Sequence, residues 1–219
     1  MSRMDLYGKV HKAIRAELFE AALRAARTDF ADARESAAAA DAVRRVLDLL
    51  ARHAEHEDAV VMPELRALAP ELFHDLAAEH ARTDGLQREL ERLVERVGSG
   101  SAAERASAGQ RLHDALLALA AEHLRHMARE EREANRVLWA HRSDEELHGL
   151  HLRILARIPP AEMATWFAIL LPAVSPPEQA EVLAGLRAAV PSPAFEELVG
   201  PAREALGPEA WAAAEEGGR

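Results

Sequence analysis

The sequence predicts an all-α protein: an antiparallel up-down four-helix bundle with a C-terminal extension of short helices. Three observations point there. The 219 residues are rich in Ala, Leu, Glu and Arg, all strong helix formers, while aromatic residues make up only 4% and β-branched residues are sparse. Over four long stretches within residues 1–140, apolar positions recur with the period of an amphipathic helix. Beyond residue 140, prolines recur at short intervals and leave room only for short helices.

The first helix is expected over about Asp5–Arg27, with Tyr7, His11, Ile14 and Leu18 on one stripe. A polar, Ala-rich connection follows, Thr28–Ala40. The second helix runs to about Leu68, with Val46, Leu50, His53, Glu57, Val60 and Val61 sharing a face. Pro63 is expected to bend or break it near its end. Pro70 suits the first turn of the third helix, which continues to about Val97. Its inner stripe carries Phe73, Leu76, His80, Asp84 and Gln87. Gly98-Ser99-Gly100-Ser101 reads as a loop. The fourth helix is the longest, Ala102–Trp139, and its apolar stripe runs from Leu119 to Val137 through His126 and Glu130.

Residues 1–140 are therefore read as the bundle and 141–219 as the extension. Ser143 is a good N-cap for a helix to about Arg157. After it, Pro159-Pro160, Pro172, Pro176-Pro177, Pro191, Pro193, Pro201 and Pro208 cut the chain into short pieces. Trp166, Phe167, Leu170, Leu171, Leu183, Leu186, Phe195 and Leu198 give these pieces apolar faces. They are expected to pack on the bundle or on another subunit, the latter making a homo-oligomer. Glu215–Arg219 reads as a frayed end.

Composition removes several function classes. A formal net charge of −10 argues against non-specific nucleic-acid binding and against an anionic membrane surface. There is no Cys, which excludes disulfides, thiolate metal sites and thiol catalysis. Met1–Leu6 is polar with no apolar run after it, and the most apolar stretch, Met163–Leu171, is too short for a membrane span. The expectation is a soluble cytoplasmic protein. Gly98-Ser99-Gly100 lacks the Lys and the preceding strand of a phosphate-binding loop, and nothing suggests a nucleophilic triad.

What remains is histidine, eleven in all. His126 and Glu130 are four apart on a face that should be buried, and burying charge without a partner is costly. With 37 acidic residues and 11 His in 219, about two chance His-x-x-x-Glu/Asp pairs are expected. The sequence has four: His53/Glu57, His80/Asp84, His126/Glu130 and His141/Glu145, the last crossing the N-cap at Ser143. Spacing alone is thus weak; placement is stronger. The first three pairs lie on apolar stripes of three different helices, and His11 holds the matching stripe of the fourth. Four imidazoles and two carboxylates meeting at mid-bundle suit two metal ions bridged by Glu, with iron, manganese or zinc compatible with the donors. His123, three residues before His126, and Tyr7, one turn before His11, are neighbours of such a site. His56 is rotated from the His53 face, and His74, His113, His141, His148 and His151 read as surface residues.

Four segments carry a resemblance: VHKAIRAEL around His11, LLARHAEHEDAVVMPEL around His53 and Glu57, LAAEHARTDGL around His80, and HLRHMAREE around His126 and Glu130. Together they resemble the hemerythrin-like (HHE cation-binding) family over about residues 5–140. The resemblance implies a non-haem di-iron centre, with Mn or Zn less favoured. His11 and His53 would bind one iron and His80 and His126 the other. Glu57 and Glu130 would bridge, along with an oxo or hydroxo group. It also implies a small partner such as O2, another diatomic like NO, or peroxide. One departure stands out: oxygen-carrying hemerythrins have a second His one turn after the helix-three ligand, where this chain has Asp84. Either Asp84 is a carboxylate ligand or one iron has an open position. That shifts the expectation from simple oxygen carriage toward oxygen activation, peroxide chemistry or iron sensing. Three functions follow as expectations: a di-iron protein that binds or reacts with O2, a di-iron oxidase or oxygenase acting on an organic substrate, and an iron- or redox-sensing module.

Overall fold

The computed structural model describes residues 3–217. These residues form an all-α chain with no strand among them: α1 (Gly8–Arg27), α2 (Ala33–Leu68), α3 (Pro70–Ser99), α4 (Ala102–Arg129), a π-helical segment (Glu130–Ala134), α5 (Asn135–His141), α6 (Asp144–Leu155), α7 (Pro160–Ala173), α8 (Pro176–Ala189), α9 (Ser192–Leu206) and α10 (Pro208–Gly217). The architecture is the predicted one, a long-helix bundle with additional short C-terminal helices. No single described helix is long and apolar enough to cross a membrane. By backbone contacts the chain divides into two compact units. One holds Glu17–His151 with the N-terminal residues up to Tyr7; the other holds Gly8–Ala16 with Leu152 onward.

In the first unit α2 packs on α3, α3 on α4, and α5 on α2. One residue, Ala69, separates α2 from α3, and only Gly100-Ser101 separate α3 from α4, so neighbouring helices must reverse direction. Ser101 starts α4 with reciprocal capping: its hydroxyl accepts from the Glu104 N–H, and the Glu104 carboxylate accepts the Ser101 N–H at 2.8 Å. Leu65, Leu76, Leu90, Val97, Leu112, Leu116 and Leu119 are fully buried. The predicted α2 stripe is buried throughout, from Val46 to Val61.

Several expected boundaries move, each for a local reason. Helix α1 begins at Gly8, not Asp5, because the Asp5 carboxylate accepts the Tyr7 N–H (2.9 Å) and an amide N–H of Asn135 (2.8 Å). Helix α2 begins at Ala33, not near Ala40: Asp32 caps it by accepting from the N–H groups of Arg34 (2.8 Å) and Glu35 (2.9 Å). The Ala-rich stretch read as a connection is thus helix. The expected four-residue loop shrinks to Gly100-Ser101, since Gly98 and Ser99 finish α3. Pro63, Pro172 and Pro201 all lie inside helices rather than ending them at once. All three are exposed, so the carbonyl that each leaves unbonded one turn earlier can meet water.

The fourth long helix carries the largest deviation. At Glu130–Ala134 its winding opens to a π turn, with the Asn135 N–H bonding back to the Glu130 carbonyl. The extra residue rotates everything after it. Buried positions run Leu119, His123, His126 and Glu130, then Ala134, Asn135 and Leu138, while Val137, on the unbroken stripe, is half-buried.

The second unit has its own core. Leu171, Leu183, Phe195, Val199, Ala202, Trp211 and Ala214 are buried together, with Phe167 and Leu186 packed against them. Arg187 lies over the Phe195 ring (4.6 Å) and Arg203 over Trp211 (4.8 Å). Lys12 pairs with Glu178 at 2.6 Å within the same unit. Glu215, Glu216 and Gly217 belong to α10 rather than a frayed end; residues 218–219 lie outside the described residues.

Candidate metal centre

Each long helix of the first unit delivers polar groups to an otherwise apolar interior. His53 and Glu57 are one turn apart on the buried stripe of α2, and His126 and Glu130 repeat that spacing where α4 meets the π segment. His80 comes from the middle of α3. One ligand atom each from Glu57, His80, His126 and Glu130 lies within 4.8 Å of all the others, and His53 stands in the same relation to Glu57 and Glu130. The two carboxylates are therefore common to both sets. Glu130 is 1% exposed, Glu57 4%, His126 4% and His53 8%.

Closest approaches show how tightly the groups converge. His53 Nε2 is 3.1 Å from Glu57 Oε1, and His126 Nε2 is 3.2 Å from Glu130 Oε1. His80 Nε2 is 3.7 Å from Glu57 Oε2 and 2.9 Å from His126 Nε2. Two imidazole nitrogens point at one another, an arrangement that needs either a proton shared between them or a cation. A first-row ion holds such donors at about 2.0–2.2 Å, so donors around one ion are at most roughly 4.4 Å apart. The observed cluster meets that span with small adjustment, and its N/O donor set suits iron, manganese or zinc. The residues fit a metal.

Two carboxylates outside the predicted set hold the far sides of the histidines. Glu79 Oε2 lies 2.9 Å from His126 Nδ1, and Asp58 Oδ1 lies 3.3 Å from His80 Nδ1. Each flanks a candidate ligand in sequence, Asp58 after Glu57 and Glu79 before His80, yet each serves a histidine of the next helix. Such carboxylates fix the tautomer and aim the opposite nitrogen inward. Arg129 in turn donates to Glu79 (2.6 Å), Asp75 (3.2 Å) and Glu133 (3.2 Å).

The electrostatics follow from this wiring. Burial disfavours the His126 cation, but hydrogen bonding to Glu130, the charges of Glu130 and Glu57, and Glu79 outweigh it, raising its pKa to about 9. His80 is likewise raised, its burial outweighed by Asp58 and Glu57. Burial would raise Glu79, but its bonds to His126 and Arg129 hold it below the usual carboxylate value. Arg129 is raised by Glu133 and Glu79. His123 is lowered to about 3 by burial and by the positive charges of His126, His53 and His80. Tyr7, 2% exposed, is raised well above its ordinary value by burial and by Glu130, Glu57 and Asp5, and stays a neutral phenol.

The predicted residues sort as follows. Glu57, His80, His126 and Glu130 come together, with His53 against the same carboxylates. His11 is fully buried on α1, in the stretch Gly8–Ala16 that belongs to the second unit. Tyr7 feels both carboxylates, and His123 lies beside His126, with 6.5 Å between ring centroids. Asp84 is exposed and belongs to neither set. The α3 stripe steps from His80 to Thr83, which is buried, and so passes Asp84 by.

Among protein families, the model of the hemerythrin HHE cation binding domain matches residues 4–138. No curated protein sequence matches significantly. The matched span runs from before α1 into α5 and covers every helix that carries a predicted ligand. The chain belongs to the hemerythrin HHE cation-binding family.

Proposed function

We propose that this is a non-haem di-iron protein that binds or reacts with O2, or a comparable small molecule such as NO or peroxide. The observation that carries the reading is the sharing of Glu57 and Glu130 between two donor sets. A carboxylate common to two sets is what a bridge between two ions requires. His80 and His126 serve one ion and His53 the other; membership of the family, whose match spans His11, adds His11 to the His53 set as an expectation. Iron is the metal that this family and this N/O donor set favour, ahead of manganese or zinc.

When bound, the iron pair supplies electrons to a small oxidant. The chain supplies the rest. Glu57 and Glu130 offset the charge of the cations in an interior that solvates charge poorly. Asp58 and Glu79 hold His80 and His126 in the tautomer that leaves Nε2 as the donor. The neutral Tyr7 phenol offers a hydrogen bond close to both carboxylates. Leu50, Leu76 and Leu119, all essentially buried, keep water out.

With Asp84 exposed, α3 contributes a single imidazole. One ion is then short of a protein donor, which favours reaction over reversible carriage. The test is to load the protein with ferrous iron without oxygen, admit O2, and follow the optical spectrum and oxygen uptake. Oxygen consumption with rapid iron oxidation is expected. Bound iron that is inert to O2, NO and peroxide would refute the proposal.

A further inference from the structure

The first unit gathers one more buried imidazole than its donor sets use. His123 sits on the inner stripe of α4, one turn before His126, and is 6% exposed. Its ring stands edge-on to His126 with 6.5 Å between centroids, and the charges of His126, His53 and His80 all act on it. It is therefore close enough to groups of α2, α3 and α4 to feel their charge. It belongs to neither donor set itself.

Its Nε2 is buried and has no hydrogen-bond partner among the described residues. Leu50, at the comparable position one turn before the α2 ligand His53, is essentially buried and apolar. A leucine here would complete an apolar layer. An imidazole with an unmet nitrogen makes the folded chain less stable than it could be. A buried group left in that state calls for an explanation, and functional sites are where such a cost is tolerated.

We propose that His123 is a binding residue for the exogenous ligand: it hydrogen-bonds a small anion or diatomic coordinated by the metal pair. The inference rests on the di-iron reading above. A neutral imidazole nitrogen can donate or accept according to tautomer, so it can hold a ligand atom that carries a lone pair or a proton. It gives an otherwise apolar pocket one point of polar recognition, and so favours ligands with an atom free beyond the one that binds metal.

The experiment uses the full chain, iron-loaded, titrated with azide, a small anion that occupies open metal positions. Wild type, His123→Leu and His123→Gln are compared, with iron content measured on each. His123→Leu should keep the wild-type iron content and bind azide about tenfold more weakly, a loss of about 1.4 kcal/mol. His123→Gln should recover part of that. Metal-free His123→Leu should melt above metal-free wild type, since the orphaned nitrogen is gone. A purely structural histidine would give the opposite shift, and that result overturns the proposal. So does azide affinity within about twofold of wild type, and so does a fall in iron content, which would make His123 a metal ligand. Wild type that takes up no iron sinks the di-iron reading beneath; iron-loaded wild type with an unaffected His123→Leu sinks this inference alone.

Discussion

Replacing Glu79 tests whether the groups behind the ligands matter as much as the ligands. Its side chain is 14% exposed and lies within hydrogen-bond distance of His126 Nδ1 at 2.9 Å and Arg129 Nη1 at 2.6 Å. Glu79→Leu removes the group that aims His126 and fixes its tautomer. Loss of such a partner typically weakens metal binding 10- to 100-fold, about 1.4–2.7 kcal/mol. An opposing effect exists: Glu79 also helps to raise the His126 pKa, so its removal eases competition by protons. Glu130 and Glu57 come ahead of Glu79 among the groups that raise His126, so that gain is the smaller effect and net weakening is expected. Glu79→Gln keeps an acceptor for His126 and should fall between Glu79→Leu and wild type. Competition against a chelator at neutral pH reads the affinity. Metal affinity of Glu79→Leu within about twofold of wild type would refute the orienting role.

Two further predictions come from pH and from packing. In the metal-free protein His126 is raised to about 9 from an ordinary 6.5, so its stabilising contribution is full below pH 6.5 and lost as pH rises through about 9. The size is on the order of 3 kcal/mol. His123 is lowered to about 3, so its effect runs the other way, with stability lost as pH falls from 6.5 toward 3. Urea midpoints of chelated protein should therefore peak near pH 6.5, and a flat profile between pH 6.5 and 9 would contradict the His126 assignment. Separately, Gly109 faces the Phe30 ring so closely that an added Cβ would overlap it. Gly109→Ala gains about 1 kcal/mol of helix propensity but overpacks by about 1–3 kcal/mol, so a lower urea midpoint is expected. A higher one would show that Phe30 moves aside freely.

Much of the site was legible because metal ligands must obey two patterns at once. His53/Glu57 and His126/Glu130 keep helical spacing and also sit on apolar stripes, and both pairs are buried as that double pattern requires. Asp84 met the first pattern and failed the second: with 3.6 residues per turn, the stripe through Leu76 and His80 goes on to Thr83. Glu79 and Asp58 were missed because neither lies on a stripe. They act across helices, at His126 and His80, and only their position beside a ligand hints at them. The π turn at Glu130 left no trace, since no Gly or Pro marks it; the residues that follow it make long-range bonds, Asn135 to Asp5 and Trp139 Nε1 to the Met4 carbonyl. The internal prolines were readable in principle, because Pro63 lies off the apolar stripe of α2, where water can solvate the carbonyl it leaves free.

The most direct test is the metal content of the wild type beside that of Glu57→Ala and Glu130→Ala. The account predicts two ions per wild-type chain. It predicts that either single substitution loses metal at both positions, since each carboxylate serves both donor sets. Two ions retained in either variant would contradict the shared-carboxylate centre.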